Sequence, residues 1–242
     1  MDKTIIKRRF EAAMSSYDRQ AGVQRDVCRR LADELAALNP HVERAVEIGV
    51  GTGMLTRHLT ALFPQARWWL NDLTARACER MPPCCTFLAG DAEALQLPDG
   101  LDLVASASTV QWFDDLPYFL RRCAAATRSG GLLALSTFGP ENFREVRAAA
   151  GRGLSYHSAS ELAELAAEAG YNVLTLKEYV VSLTFGTPVD VLRHIKATGV
   201  GGAGSSNWTK GSLQEFDARY RAINRENITL AYHPVIIVAR RR

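Results

Sequence analysis

The sequence predicts an α/β fold, an open, Rossmann-like, doubly wound and mostly parallel sheet that carries a nucleotide-type pocket. Three observations lead there. Ala45-Val46-Glu47-Ile48 reads as a short buried strand that stops in alternating glycines, Gly49, Gly51 and Gly53, before a helical pattern with apolar Leu55, Leu59 and Leu62. Strand-length apolar runs then alternate with helical ones as far as residue 139, the pattern of a parallel sheet with crossover connections. Polar residues gather where those runs finish, at Asp72, Asp91 and 106–111, and ligands of such sheets bind at that edge.

The first elements are helical. Ile5, Ile6 and Phe10 mark one segment, and Val23, Val27, Leu31, Leu35 and Leu38 a longer one. Between them, 15–22 reads as a polar break whose Ser and Asp suit helix caps. This pair either packs plainly on the sheet or forms a lid over the glycine pocket, with Tyr17 and Arg9 facing the ligand. In the glycine turn the missing Cβ admits positive φ and lets a ligand press on bare backbone, while the next helix begins with unpaired N–H groups. Phe63-Pro64 ends that helix, because a residue before proline is pushed out of the helical region.

The second strand, 67–72, ends in Asp72, an acid placed to accept bonds from both hydroxyls of a ribose. Its plainer reading is a cap for the helical pattern that starts near Thr74. Strands at 86–91, 101–108 and 131–139 follow, with a helix at 117–126 among them. Beyond residue 140 come a helix at 160–169 closed by Gly170, a β-rich run at 172–185, and helices at 189–198 and 212–224 around a glycine-rich stretch, 199–206. A last strand, 229–239, resumes the sheet. The expected organisation is one domain, 1–242. Its parts are lid helices at 1–38, a sheet core at 44–185 and 229–240, and a cap at 186–228 that shapes a substrate site.

Bulk properties narrow the class. The 242 residues are 47% hydrophobic, ordinary for a globular domain, and the net charge of +3 is too mild to imply a nucleic-acid partner. Five cysteines, Cys28, Cys78, Cys84, Cys85 and Cys123, with no C-x-x-C pair, fit neither a disulfide framework nor a zinc site, and no metal is expected. The charged start, 1–10, has no apolar core of a signal peptide, and no run of 18 apolar residues could span a membrane. A soluble, cytoplasmic monomer is the expectation.

A dinucleotide site would place a glycine at position 54, where Met54 stands. The observed Glu47-x-Gly49-x-Gly51-x-Gly53 instead resembles the first motif of class I S-adenosylmethionine-dependent methyltransferases. Asp72 with Leu73, the turn Gly90-Asp91-Ala92, and 106–108 stand in register with that family's later motifs. The resemblance implies a seven-stranded sheet and S-adenosylmethionine as co-substrate. It implies contacts from Arg9, Glu47, Gly49, Gly51, Gly53, Asp72, Leu73, Asp91, Ala92 and Ser108.

Lys7-Arg8-Arg9-Phe10, Ser16-Tyr17-Asp18-Arg19-Gln20-Ala21, Ser108-Thr109-Val110-Gln111-Trp112, Ser136-Thr137-Phe138-Gly139, His194–Gly199 and Thr229–His233 are more discriminating. Together they resemble malonyl-[acyl-carrier protein] O-methyltransferases, early enzymes of biotin synthesis. The acceptor so implied is the carboxylate of a malonyl thioester, on an acidic acyl carrier protein or on coenzyme A. It is ionised at neutral pH and requires no general base. Tyr17 would close over the methyl group, Lys196 would hold the carboxylate with help from Arg144 or Arg147, and Gln111 and Trp112 would line the acceptor side. Lys196 can equally be a solvated charge, and Trp112 core. Arg219, Arg221, Arg225 and Arg240 to Arg242 offer a basic face to an acidic carrier. Another small carboxylic acid, a quinone precursor, or a non-catalytic nucleotide-binding scaffold are the alternatives.

Overall fold

The computed structural model of the chain describes residues 2–151, 153–199, 208–224 and 226–242. Its strands are β1 (Arg44–Ile48), β2 (Arg67–Asp72), β3 (Thr86–Ala89), β4 (Leu101–Ala107), β5 (Thr127–Phe138), β6 (Tyr171–Glu178), β7 (Val181–Phe185), β8 (Ile228–Tyr232) and β9 (Pro234–Arg241). The helices are α1 (Lys3–Gln20), α2 (Gly22–Leu38), α3 (Met54–Leu62), α4 (Leu116–Ala126), α5 (Arg144–Ala150), α6 (Ala159–Glu168), α7 (Pro188–Ala197) and α8 (Lys210–Ile223).

Seven strands form one sheet in the order β3-β2-β1-β4-β5-β9-β6, parallel throughout except for β9, which runs antiparallel to both of its neighbours. The central strands β1 and β4 are buried along nearly their whole length because helices cover both faces. Successive side chains alternate between those faces. Val46 and Ile48 join the core beneath α4 and α6, while Ala45 joins the core beneath α2 and α3. Chain direction across the sheet reverses between β1 and β4, so a crevice opens at their carboxyl ends.

A third core lies beyond that crevice. β7 and β8 pair antiparallel as a separate two-stranded sheet, and its side chains pack with α5, α7, α8 and the start of α2 around Tyr220, Phe216, Tyr232 and Val191. The run read as continuous β structure over 172–185 therefore divides between two sheets. So does the strand expected at 229–239, which breaks at His233. The break has a cause: the His233 ring fills the space beside Gly139, where a Cβ would lie 2.7 Å from ring atoms. His233 Nδ1 accepts the Glu141 N–H at 3.1 Å and Nε2 meets Glu178 at 3.0 Å.

The polar break expected at 15–22 is also absent as such. α1 runs on to Gln20, with the Ser16 hydroxyl donating back to the Ala13 carbonyl at 3.0 Å, and only Ala21 leaves helical geometry. α1 continues because burial of Ala13 and Met14 and the packing of Tyr17 outweigh the polar composition. The glycine-rich stretch from 200 to 206 and Arg225 lie outside the described residues. Among the described residues, no helix is long and apolar enough to cross a membrane, and no group of three His, Cys, Asp or Glu side chains could hold a metal ion.

Candidate functional site

The crevice is walled by the carboxyl ends of the first five strands and roofed by α1 and α2. Glu47, Gly49 and Gly51 at the end of β1 and in the turn after it, Asp72 and Leu73 at the end of β2, Asp91 and Ala92 after β3, and Ser108, Gln111 and Trp112 after β4 all line one cleft. Tyr17 from α1 faces them. Strand ends put these residues together because each loses its ladder partners where the helix crossovers begin.

The turn after β1 needs its glycines. Gly49, Gly51 and Gly53 have φ of +70°, +57° and +79°, the left-handed region. The Gly49 and Val50 N–H groups both donate to the Asn71 carbonyl, at 2.8 and 3.0 Å, which pins the turn onto β2. The Phe10 ring of α1 rests over Gly51, and a Cβ there would lie 3.1 Å from its Cζ. Phe10 in turn meets Tyr17 edge to face at 5.3 Å between ring centres. Gly53 turns the chain into α3 but does not line the cleft; its N–H donates to the Val50 carbonyl at 2.8 Å.

Three carboxylates surround the turn in different states. Glu47 is 1% exposed, and its Oε2 has no hydrogen-bond partner. Burial pushes its carboxyl up to about 8, with Asp72 adding to the rise against opposing effects of Thr56 and Arg57. Asp72 is also buried, which raises its pKa, while backbone N–H groups of Thr74 and Gly51 pull it down. Its Oδ2 accepts the Gly51 N–H at 2.8 Å and its Oδ1 the Thr74 N–H at 2.9 Å. The cap of the following 3₁₀ turn is Thr74, not Asp72. Asp91 sits at the open end, where Lys3 Nζ bridges it at 2.6 Å and also bonds Glu93.

The cleft lining does not include five of the residues expected at the site, Gly53, Arg9, Arg144, Arg147 and Lys196. Lys196 is exposed, because α7 buries Val191 and Ile195 and the next residue points away. Arg144 pairs with Glu141 at 2.7 Å and with Glu145 at 3.4 Å. Arg147 donates to the carbonyls of Asn142, at 2.5 Å, and Pro140, holding the loop before α5. Two arginines of the basic face are similarly occupied: Arg219 pairs with Glu215, and Arg221 with Asp217 at 2.8 Å. Arg241 and Arg242 donate to backbone carbonyls of Gly170, Ala124, Ala167 and Tyr171.

Other lining residues had no site role assigned from the sequence: Lys3, Lys7, Gln24, Cys28, Asn71, Thr109 and Thr198. One signal was available. Gln24, Cys28, Leu31 and Leu35 form a helical stripe at spacings of four, three and four, in which a glutamine occupies a core position. Asn71 braces the rim, its Nδ2 donating to the Leu88 and Gly90 carbonyls at 2.8 and 3.0 Å.

A family model described as a methyltransferase domain matches residues 17–176. A malonyl-[acyl-carrier protein] O-methyltransferase from Chlorobium luteolum is 40% identical, over 100% of this chain and 96% of the relative. Another from Acinetobacter baylyi is 34% identical, over 100% of this chain and 98% of the relative. A protein of the same name from Bacteroides fragilis is 37% identical over 99% of this chain, and this chain spans about half of it, 51%. Among solved structures, the YcgJ protein of Bacillus subtilis superposes with a TM-score of 0.65 at 15% identity, covering 88% of this chain and 99% of that one. An S-adenosylmethionine-dependent methyltransferase from Mesorhizobium loti gives a TM-score of 0.56 at 18% identity, covering 86% and 96%. These two likenesses concern the fold.

Proposed function

The chain belongs to the malonyl-[acyl-carrier protein] O-methyltransferase family, and on that premise we propose that it methylates the free carboxylate of a malonyl group carried as a thioester on an acyl carrier protein. The product is the methyl ester, and the methyl donor is S-adenosylmethionine. The observation that carries the reading is the bare glycine turn flanked by Glu47, Asp72 and Asp91 in one cleft.

The residues present fit that donor. The unpartnered Oε2 of Glu47 is a buried acceptor that an ammonium group would satisfy. Each Asp72 oxygen accepts one backbone N–H and keeps a lone pair for a hydroxyl of a ribose. Asp91 and Ala92 stand at the far end for the base. When bound, the sulfonium supplies an already activated methyl group, so alignment is most of what the chain must provide. Burial keeps the Tyr17 hydroxyl protonated, and it faces the cleft as a donor. Trp112 and Phe138 give apolar walls that exclude water and weaken the hydration of an entering carboxylate.

Incubation with methyl-labelled S-adenosylmethionine tests the reading. Base-labile label is expected on malonyl-carrier protein, and less on malonyl-coenzyme A or free malonate. Transfer to unrelated acids alone would overturn the acceptor assignment, and failure to bind the donor in calorimetry would leave a non-catalytic scaffold.

A pH dependence follows from Glu47. Its folded pKa, about 8, lies above the ordinary glutamate value of 4.5. The folded state therefore holds a proton that the unfolded state releases. That contribution to stability is whole below the unfolded pKa and is lost as pH rises through the folded one. In ligand-free protein the denaturation midpoint is expected to fall from about pH 5 to about pH 8, and Glu47→Gln should flatten that slope. A cationic ligand favours the ionised form, so donor binding near neutral pH should release a proton, measurable by calorimetry in buffers of different ionisation heat. An unchanged slope in Glu47→Gln would assign the dependence elsewhere.

A further inference from the structure

The cleft also holds a polar group that no backbone need explains. Gln24 of α2 is 3% exposed, lines the cleft, and its Oε1 has no partner. Around it stand Tyr17, Tyr232, Thr198 and Cys28: the polar side chains of Thr198 and Gln24 face the Tyr232 hydroxyl, and Tyr17 lies within electrostatic reach of both Cys28 and Tyr232. Behind them His194 Nε2 meets the Tyr232 hydroxyl at 2.8 Å. No cation belongs to this group. Among the described lining residues the only cations are Lys3 and Lys7. Lys3 is bound to Asp91 and Glu93, and Lys7 precedes Tyr17 by ten residues, about 15 Å of helix.

Resting on the function proposed above, we infer that the acceptor carboxylate is held by neutral groups, with Gln24 as its specificity-determining residue. The chemistry favours this arrangement. A carboxylate oxygen forms the new O–CH₃ bond as the S–CH₃ bond breaks, the bonding pair leaves with sulfur, and no proton moves. An anion and a cation thus become two neutral products. Negative charge on the carboxylate declines toward the transition state, so a lysine or arginine paired to it would stabilise the ground state more and raise the barrier. A side-chain amide orients the same oxygen with a smaller penalty.

Gln24 can present its donor by a half-turn of its amide, which leaves its shape unchanged. Its Nε2 then faces the carboxylate, its Oε1 accepts from the Tyr232 hydroxyl, and His194 Nε2–H donates to that hydroxyl. The Gln24 oxygen now without a partner is then paired. Tyr232 and His194 are positioning residues in this arrangement.

Steady-state kinetics with malonyl-carrier protein, alongside calorimetry with S-adenosylmethionine, test the inference. Gln24→Leu is expected to lower kcat/KM for the acceptor by about 10- to 100-fold while donor affinity stays within about twofold. Gln24→Lys should leave acceptor KM equal or lower and cut kcat by about 10-fold or more, the signature of ground-state grip. If Gln24→Leu does not fold, the near-isosteric Gln24→Glu reads the same contact, with acceptor KM raised about 10-fold or more by like charge. A Gln24→Leu enzyme with unchanged kcat/KM, a Gln24→Lys enzyme as fast as wild type, or a Gln24→Glu enzyme with unchanged KM would overturn it. Absence of transfer by the wild-type protein defeats the proposed function itself, and this inference with it.

Discussion

Gly49→Ala is expected to abolish donor binding and to lower the unfolding free energy by about 2–5 kcal/mol, the sum of left-handed strain and overpacking. Position 49 has a φ of +70°, and an added Cβ would lie 2.7 Å from Thr109 Cβ and closer still to its hydroxyl and methyl. Thr109 cannot easily retreat: its hydroxyl bonds the Ala107 carbonyl at 3.0 Å and the Gly49 carbonyl at 3.3 Å. The two contributions separate in a double variant. Thr109→Gly in the Gly49→Ala background relieves the collision and leaves the dihedral strain, so roughly half of the stability should return. Chemical denaturation and calorimetry read both. A Gly49→Ala protein with a wild-type midpoint would mean that the turn relaxes without cost.

Asp72→Ala is expected to weaken donor binding by about 10- to 100-fold, the equivalent of about 1–3 kcal/mol for stranding polar partners. Two donors, the half-buried N–H of Gly51 and the buried N–H of Thr74, lose their acceptor with the side chain. Stability should fall as well, because those bonds tie the glycine turn to the loop after β2. Asp72→Asn keeps one carbonyl oxygen and should recover part of the stability but less of the affinity, since an amide cannot accept along both edges. Equal donor dissociation constants in wild type and Asp72→Ala would reduce Asp72 to a structural tie.

The sheet core was legible because its signals are local. A fully buried strand, a glycine at a position that requires positive φ, and a proline after a helix each state their structure within a few residues. β2 begins and ends where its sequence pattern does, at 67 and 72. The cofactor edge was legible for the same reason, since strand ends are fixed by strand pattern. The acceptor side was not. Lys196, Arg144 and Arg147 are cations near the right part of the sequence, but which way a helix turns a charge depends on what its other face buries. For α7 that is Val191 and Ile195, and for the loop before α5 it is the carbonyls that Arg147 holds. Gln24 was overlooked because a glutamine in an amphipathic helix looks like surface until the partner helices are placed. The division of 172–185 and 229–239 between two sheets is likewise a tertiary outcome, and the second break falls where His233 packs beside Gly139.

β9 lies between β5 and β6, yet it is made after both. During synthesis, then, the last two neighbours of the finished sheet emerge with their facing edges unpaired and must wait. Residues 179–233 are translated in that interval, roughly 3–11 s at ordinary elongation rates. A ribosome-bound chain stalled before residue 234 would carry two open edges of the kind that recruit stray strands. Release of the last strand, 234–241, is what closes both edges at once.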